Sequence, residues 1–369
     1  MIAPVRRGAA RAASLVMMSA GLLATIVILV GTLTAVSGYD ATGSLQALWR
    51  GSLGTSYAIF SATLVRATPL ILTGLAVALA FTAGVMNIGA EGQLLAGASA
   101  ASAIGLAIGP YLSPWFTLPI ALGGGAIAGG GWALIPAWLR RRFGVLEVIS
   151  TIMMNFVALY LVGYLVRGPL QEPLRIYPQT AALPQAARLP MLVAGQRLHW
   201  GFAIALVCAG ATWWMVRFTA AGFRLRVLGA NPSAARSAGL IDVGRTAMRA
   251  FLVSGALAGL AGAVEVTGVT YSLYENLSPG YGYTAIAVAL VGSLDPMGTA
   301  LSGILFGALE AGAAAMQRDA AVPSVMAAVI EASIILLLIA VNELRRRGGV
   351  RGRLRGWAHR PSDPITDPS

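Results

Sequence analysis

The sequence predicts an all-α protein, a polytopic transmembrane helical bundle of about ten spans with its N- and C-termini in the cytoplasm. Three observations predict it. Of the 369 residues, 57% are hydrophobic and only 11% are charged, against about 45–50% and about 25% in ordinary soluble domains. Apolar runs recur along the whole chain at the roughly 20-residue length that a helix needs to cross a bilayer. Forty-five glycines sit among alanines inside those runs, as expected where helix backbones approach closely in lipid; the mean hydropathy is +0.75.

In order, Arg6, Arg7 and Arg11 precede the first run, 14–36, so 1–13 reads as a cytoplasmic N-terminus. That run exceeds the apolar core of about 7–15 residues found in a signal peptide, which favours an uncleaved first helix, although Ala35-Val36-Ser37 leaves cleavage open. A polar stretch, 37–57, follows. Further helices are predicted at about 64–83, 88–108, 115–138, 148–166, 199–217, 248–270, 281–294, 297–316 and 323–343. The link Met86 to Gly89 is short, and 281–294 is short for a full crossing. Asp295-Pro296-Met297-Gly298 reads as a turn between spans. The transmembrane domain is thus 14–343, and the arginine-rich remainder, 344–369, reads as a basic cytoplasmic tail beside anionic lipid.

Arginine placement tests the parity, because basic residues in short loops collect on the cytoplasmic side. Ten crossings put 19 of the 26 arginines inside: those of 6–11, 140–142, 217–249 and 345–360. Arg50, Arg66, Arg167, Arg175, Arg188, Arg197 and Arg318 fall outside. Two loops exceed a simple connection. The outer loop, 168–198, carries five prolines and suits an irregular surface segment able to face a partner outside the membrane. In the inner loop, 218–247, Asn231-Pro232 reads as a helix start, Ser233 to Ser237 as a short helix and Gly239 as its stop. Its small residues suit either docking in a groove of another protein or a plain amphipathic turn.

Absences exclude chemistry. All 26 basic residues counted as Lys or Arg are arginine, so a GxxxxGK[ST] phosphate loop and a lysine Schiff base are both excluded. One cysteine, Cys208, and two histidines, His199 and His359, fall short of a Cys/His metal cluster. Cys208 reads as a small apolar side chain, and His199-Trp200 as an interfacial pair flanking a span. The net charge of +12 reflects topology and not nucleic-acid binding, since no aromatic platform interleaves the arginines. A membrane enzyme is excluded for want of a nucleophile with a nearby base. Gly105/Gly109, Gly125/Gly129, Gly255/Gly259 and Gly303/Gly307 read as helix-packing pairs.

Asn87-Ile88-Gly89-Ala90-Glu91-Gly92-Gln93, together with Leu228 to Leu240, resembles the permease subunits of bacterial ABC importers of the branched-chain amino acid, ribose and nucleoside group. The chain looks most like the nucleoside or simple-sugar subgroup. The first segment matches an N-I-G-x-E-G-Q pattern. The second matches a G-x-N-x-x-A-A-x-x-x-G coupling pattern at Gly229, Asn231, Ala234, Ala235 and Gly239. The resemblance spans about Ser61 to Asn342. It implies that 229–240, including Arg236, docks on an ATPase subunit in a multi-pass protein of the bacterial inner (plasma) membrane. It further implies a second, shorter permease, two ATPase subunits and an extracellular binding protein. No cofactor is expected on this chain; ATP and Mg are expected on the partner ATPase. A nucleoside leads the expected substrates, then a simple sugar, then a branched-chain amino acid.

Polar groups inside spans are costly and mark function unless they pack. Asn87, Glu91 and Gln93 lie at a Gly-punctuated junction, where a broken helix offers polar groups to a ligand. The alternative is that Glu91 caps the start of its own helix. Asn155 reads either as pathway lining or as an interhelical hydrogen bond. Glu265, Glu310 and Glu331 support a rival class, an ion-coupled secondary transporter relaying protons through carboxylates.

Overall fold

The structure, a computed structural model, describes residues 27–237, 241–330, 332–337 and 339–341. Gly239, Glu331, the N-terminal segment 1–13 and the tail 344–369 lie outside the described residues. The helices are α1 Val27–Val36, α2 Ala41–Ser52, α3 Ser56–Thr82, α4 Ala90–Ile108, α5 Pro114–Phe143, α6 Glu147–Arg167, α7 Gly201–Phe218, α8 Ala220–Ala230, α9 Pro232–Ser237, α10 Val243–Thr270, α11 Tyr281–Val291, α12 Pro296–Asp319 and α13 Ser324–Val341. Among the described residues the only β features are two isolated bridges.

Each predicted run overlaps a helix, the first of them over its described part, 27–36. Seven of these helices, α3, α5, α6, α7, α10, α12 and α13, are long and apolar enough to cross a membrane. The 19-residue α4 has the length, but Glu91, Gln93 and its small residues make it less apolar. α11 spans 11 residues, about half of what a bilayer requires.

Two helices were not expected. The stretch read as polar, 37–57, contains α2, which Asp40 starts by accepting the Thr42 N–H on Oδ1 at 2.9 Å. Its buried face, Ser44, Ala47 and Ser52, lies against α12, where Gly51 meets Ala315 and Gly312 meets Leu48. α8 precedes the short helix α9 and is capped by the Thr219 side chain.

Burial separates centre from periphery. In α3, α10 and α12, 83%, 72% and 72% of the most apolar stretch is inside the protein, against 28% in each of α5, α6 and α7 and 19% in α13. Glycines allow the central approach. Gly125 and Gly129 of α5 interlock with Gly255 and Gly259 of α10, and Gly97 of α4 meets Gly259. Gly303 and Gly307 of α12 pack on Ile71 and Ala67 of α3. A side chain at these points would strike backbone, so close packing accounts for three of the four predicted pairs.

The proline-rich loop 168–198 is an ordered strap. Thr180, Leu183 and Leu189 donate backbone N–H groups to Leu273, Tyr271 and Thr267 at 2.7–2.9 Å. It folds back so that His199 is wholly buried while Trp200 stays half exposed. His199 is therefore not interfacial: its ring lies between Gly201 and Gly268. Burial, then the field of Arg197, pushes its pKa down to about 4.

Candidate functional site

Two places in the bundle carry the residues singled out above. The first is the turn 83–89 and the start of α4. Asn87 and Gln93 face each other in a reciprocal amide pair, Asn87 Nδ2 to Gln93 Oε1 at 2.9 Å and Gln93 Nε2 to Asn87 Oδ1 at 3.0 Å. Asn87 also donates to Ser254 Oγ at 2.8 Å and accepts from the Gly89 N–H at 2.9 Å. Ser254, midway along α10, donates onward to the Ala76 carbonyl of α3 at 2.7 Å. Asn155, midway along α6, accepts from the Gly92 N–H at 2.9 Å and donates to the Ile88 carbonyl at 3.0 Å and the Tyr283 hydroxyl at 3.3 Å.

Glu91 does something the sequence did not suggest. Its Oε2 accepts the Gly282 N–H at 2.7 Å, so it caps α11 and not its own helix. A helix N-terminus presents unpaired N–H groups and a positive partial charge, and a carboxylate satisfies both. Asn87, Glu91, Gln93 and Asn155 are 0%, 7%, 1% and 2% exposed. All four come together in one polar knot that joins α3, α4, α6, α10 and α11.

The second place is the end of the bundle where α8 and α9 lie. α9 forms where Asn231-Pro232 predicted a start, and the Ala235 N–H donates to the Asn231 carbonyl at 3.0 Å. Asn231, Pro232, Ser233, Arg236 and Ser237 are exposed, whereas Ala235 is buried. Ala234 lies within α9. Gly229 packs backbone on backbone against Thr82 and Gly84. Gly84 has a φ of +70°, a turn that glycine adopts without strain, and it is three residues from Asn87. Glu147 holds the same turn by accepting the Met86 N–H at 2.9 Å and pairs with Arg140. Nearby, hydrogen bonding from the Arg245 backbone holds the Asp242 carboxyl below the usual range. The knot and Gly229, read separately in the sequence, are thus linked through the turn 83–89.

The model of the branched-chain amino acid transport system permease component matches residues 59–340. The chain belongs to this permease family. It is 40% identical to the guanosine ABC transporter permease protein NupP of Bacillus subtilis over 315 residues, 84% of this chain and 89% of the relative. It is 38% identical to the glucose ABC transporter permease protein TsgB13 of Haloferax volcanii over 304 residues, 79% of each. A second B. subtilis protein, the guanosine ABC transporter permease protein NupQ, is 29% identical over 258 residues, 68% of this chain and 79% of the relative.

As a member of this family, the permease is a multi-pass protein of the inner membrane and a transport component, not an enzyme. Among its described residues no three His, Cys, Asp or Glu side chains gather as metal ligands. Sequence reading missed a polar cavity of about 640 Å³ at the end of the permease opposite α9, between α3, α10, α11, α12 and α13. It brings Glu265 and Glu310, on which the rival reading of a proton relay rested, together with Arg66, Tyr281 and Gln317. The available signal was a set of isolated polar residues near the same ends of three predicted spans.

Proposed function

We propose that this permease forms half of the translocation pathway of an ATP-driven importer for a nucleoside or simple sugar. The backbone contact of Gly229 with Gly84 carries the mechanism. Two backbones in contact without intervening side chains transmit displacement stiffly, so movement of α9 reaches the turn 83–89 and the knot behind it. Names of the relatives support the substrate class, with guanosine and glucose as the printed cargoes. The family sets the chain among ABC permeases and not among ion-coupled carriers.

In this reading the chain has ten spans and cytoplasmic termini, with α8 and α9 inside. A second permease pairs with it, as the similarity to both NupP and NupQ supports. Two ATPases, which bind ATP and Mg, dock on the coupling segment 229–240, and an extracellular binding protein docks on the strap. Exposed Ser233 and Arg236 touch the ATPase, while buried Ala235 holds α9 to the permease. Asn87, Glu91, Gln93 and Asn155 fix the wall of the pathway by tying four helices to α11, and their partners change as the pathway switches the side it faces.

Radiolabelled uptake of adenosine, uridine and ribose tests the reading in cells with and without the chain. Uptake that needs the chain and vanishes with arsenate at constant membrane potential is expected. Uptake that survives ATP loss and collapses with a protonophore overturns it. Arg236→Glu should separate the ATPase on purification and leave the permease folded; unchanged co-purification would remove the coupling assignment.

A further inference from the structure

The cavity opposite α9 holds two buried side chains, Glu265 and Tyr281, that bear hydrogen-bonding groups. Glu265 is 5% and Tyr281 8% exposed. Both line the cavity, and among the described residues neither side chain makes a hydrogen bond or ion pair. A buried carboxylate without partners is costly, and the surrounding helices had hydroxyls and amides with which to pair it. Arg66 lines the same space yet is not in ion-pair contact with Glu265. Opposite charges at low dielectric attract strongly, so their separation leaves a gap between a fixed acceptor and a fixed donor.

Backbone geometry sets that gap. α10 changes from α to π winding at Val266–Thr270, directly after Glu265. α3 is π-wound at Ile59–Thr63, three residues before Arg66. Single π turns cost hydrogen-bond geometry and occur mostly at functional sites. Here two of them end beside the two charges that face the same cavity.

We propose that this cavity is a substrate subsite in which the Glu265 carboxylate accepts hydrogen bonds from two adjacent hydroxyls of a sugar ring. The inference rests on the importer reading above and names the part of the substrate held. An ionised carboxylate only accepts, through two oxygens, so its natural ligand brings two donors side by side, as a ribose or pyranose diol does. The Tyr281 hydroxyl and the Gln317 amide supply mixed donors and acceptors for the rest of the molecule. Leu277 and Ala314 offer apolar surface to a ring face. The volume of about 640 Å³ lies inside the range of about 300–1,000 Å³ typical of small-molecule sites.

The test uses the complete importer in proteoliposomes, supplied with saturating binding protein preloaded with guanosine or 2′-deoxyguanosine. Saturation removes the binding protein's own preference from the rate. Wild type is expected to move the compound with the intact diol about tenfold faster than its deoxy counterpart. Glu265→Gln should bring that ratio to about one, because it removes the charge and turns one of the two acceptor oxygens into an NH2 donor. A ratio unchanged in Glu265→Gln overturns the proposal. A second readout does not depend on transport: in a Cys208→Ser background, Ala314→Cys should react with a charged maleimide, and the transported compound should slow labelling at least fivefold only when Glu265 is intact. Labelling indifferent to that compound also overturns it. If wild type takes up neither riboside nor sugar, the importer reading fails instead, and the labelling experiment with guanosine and glucose still decides the subsite.

Discussion

The knot around Asn87 and the cavity around Glu265 are both polar places inside an apolar bundle, and they are built in opposite ways. In the knot each carboxamide is answered by another amide, a hydroxyl or a backbone group. In the cavity a 95% buried carboxylate is answered by open space. Satisfied polar networks specify a unique packing. Unsatisfied ones oppose folding and persist where a ligand supplies what is missing. The contrast assigns the first region to architecture and the second to recognition.

Mutations that remove polarity should therefore have opposite signs in the two regions. Asn87→Leu gives the largest effect. It strands the Gly89 N–H, the Gln93 amide and Ser254, and each stranded group costs about 1–3 kcal/mol. The expected result is loss of monodisperse permease on purification, and normal yield and thermal stability would break the comparison. Asn155→Leu should follow at about 2–4 kcal/mol, from the Gly92 N–H and Ile88 carbonyl. Glu265→Leu, by contrast, should leave folding unchanged or stabilise it by about 1 kcal/mol while abolishing uptake. A destabilised Glu265→Leu protein would show that the carboxylate is structural after all.

His199 sharpens the comparison on a third buried polar group. Its value of about 4 lies below the ordinary 6.5, so the folded protein binds fewer protons between those limits. Its contribution is complete above about pH 6.5 and falls as pH drops toward 4, by on the order of 3 kcal/mol. Hydrogen-exchange protection factors of the Leu189, Leu192 and Trp200 amides, taken relative to intrinsic exchange at each pH, should fall over that window as pH drops, and His199→Gln should abolish that fall. The smallest effect is at Glu91. Glu91→Gln keeps an acceptor for the Gly282 N–H and the Ser278 hydroxyl and loses only the charge at the start of α11, about 0.5–1 kcal/mol. A thermal shift much larger than that of Asn155→Leu would mean that Glu91 makes a contact beyond these two.

Much of the fold was legible because bilayer-spanning helices announce themselves by run length, and among the described residues each predicted run overlaps a helix. α2 was not legible. It buries one face against α12 and leaves the other polar, so its mean composition resembles a loop, and only Asp40 marked its start. α8 was hidden in the same way. For the site, the sequence named all four residues of the knot and placed Glu91 in the first turn of its own helix, but it did not reveal that the carboxylate accepts from the start of α11. Its partner, Gly282, is 191 residues away, and no local spacing encodes that approach. Ala235 matched a coupling pattern by residue type, yet small size does not tell a docking surface from a buried contact, and its side chain points inward.

By itself, the sequence determined the class of protein, because water and lipid sort long apolar runs regardless of their arrangement. It also determined where small and polar residues interrupt those runs, and through them the family. Only the tertiary structure decided which interruptions are satisfied and which are left open. A carboxamide or carboxylate in a helix has the same chemistry in either case. Its role follows from whether the helices packed against it bring a donor within about 3 Å or leave a space, and that depends on contacts between segments far apart in the chain.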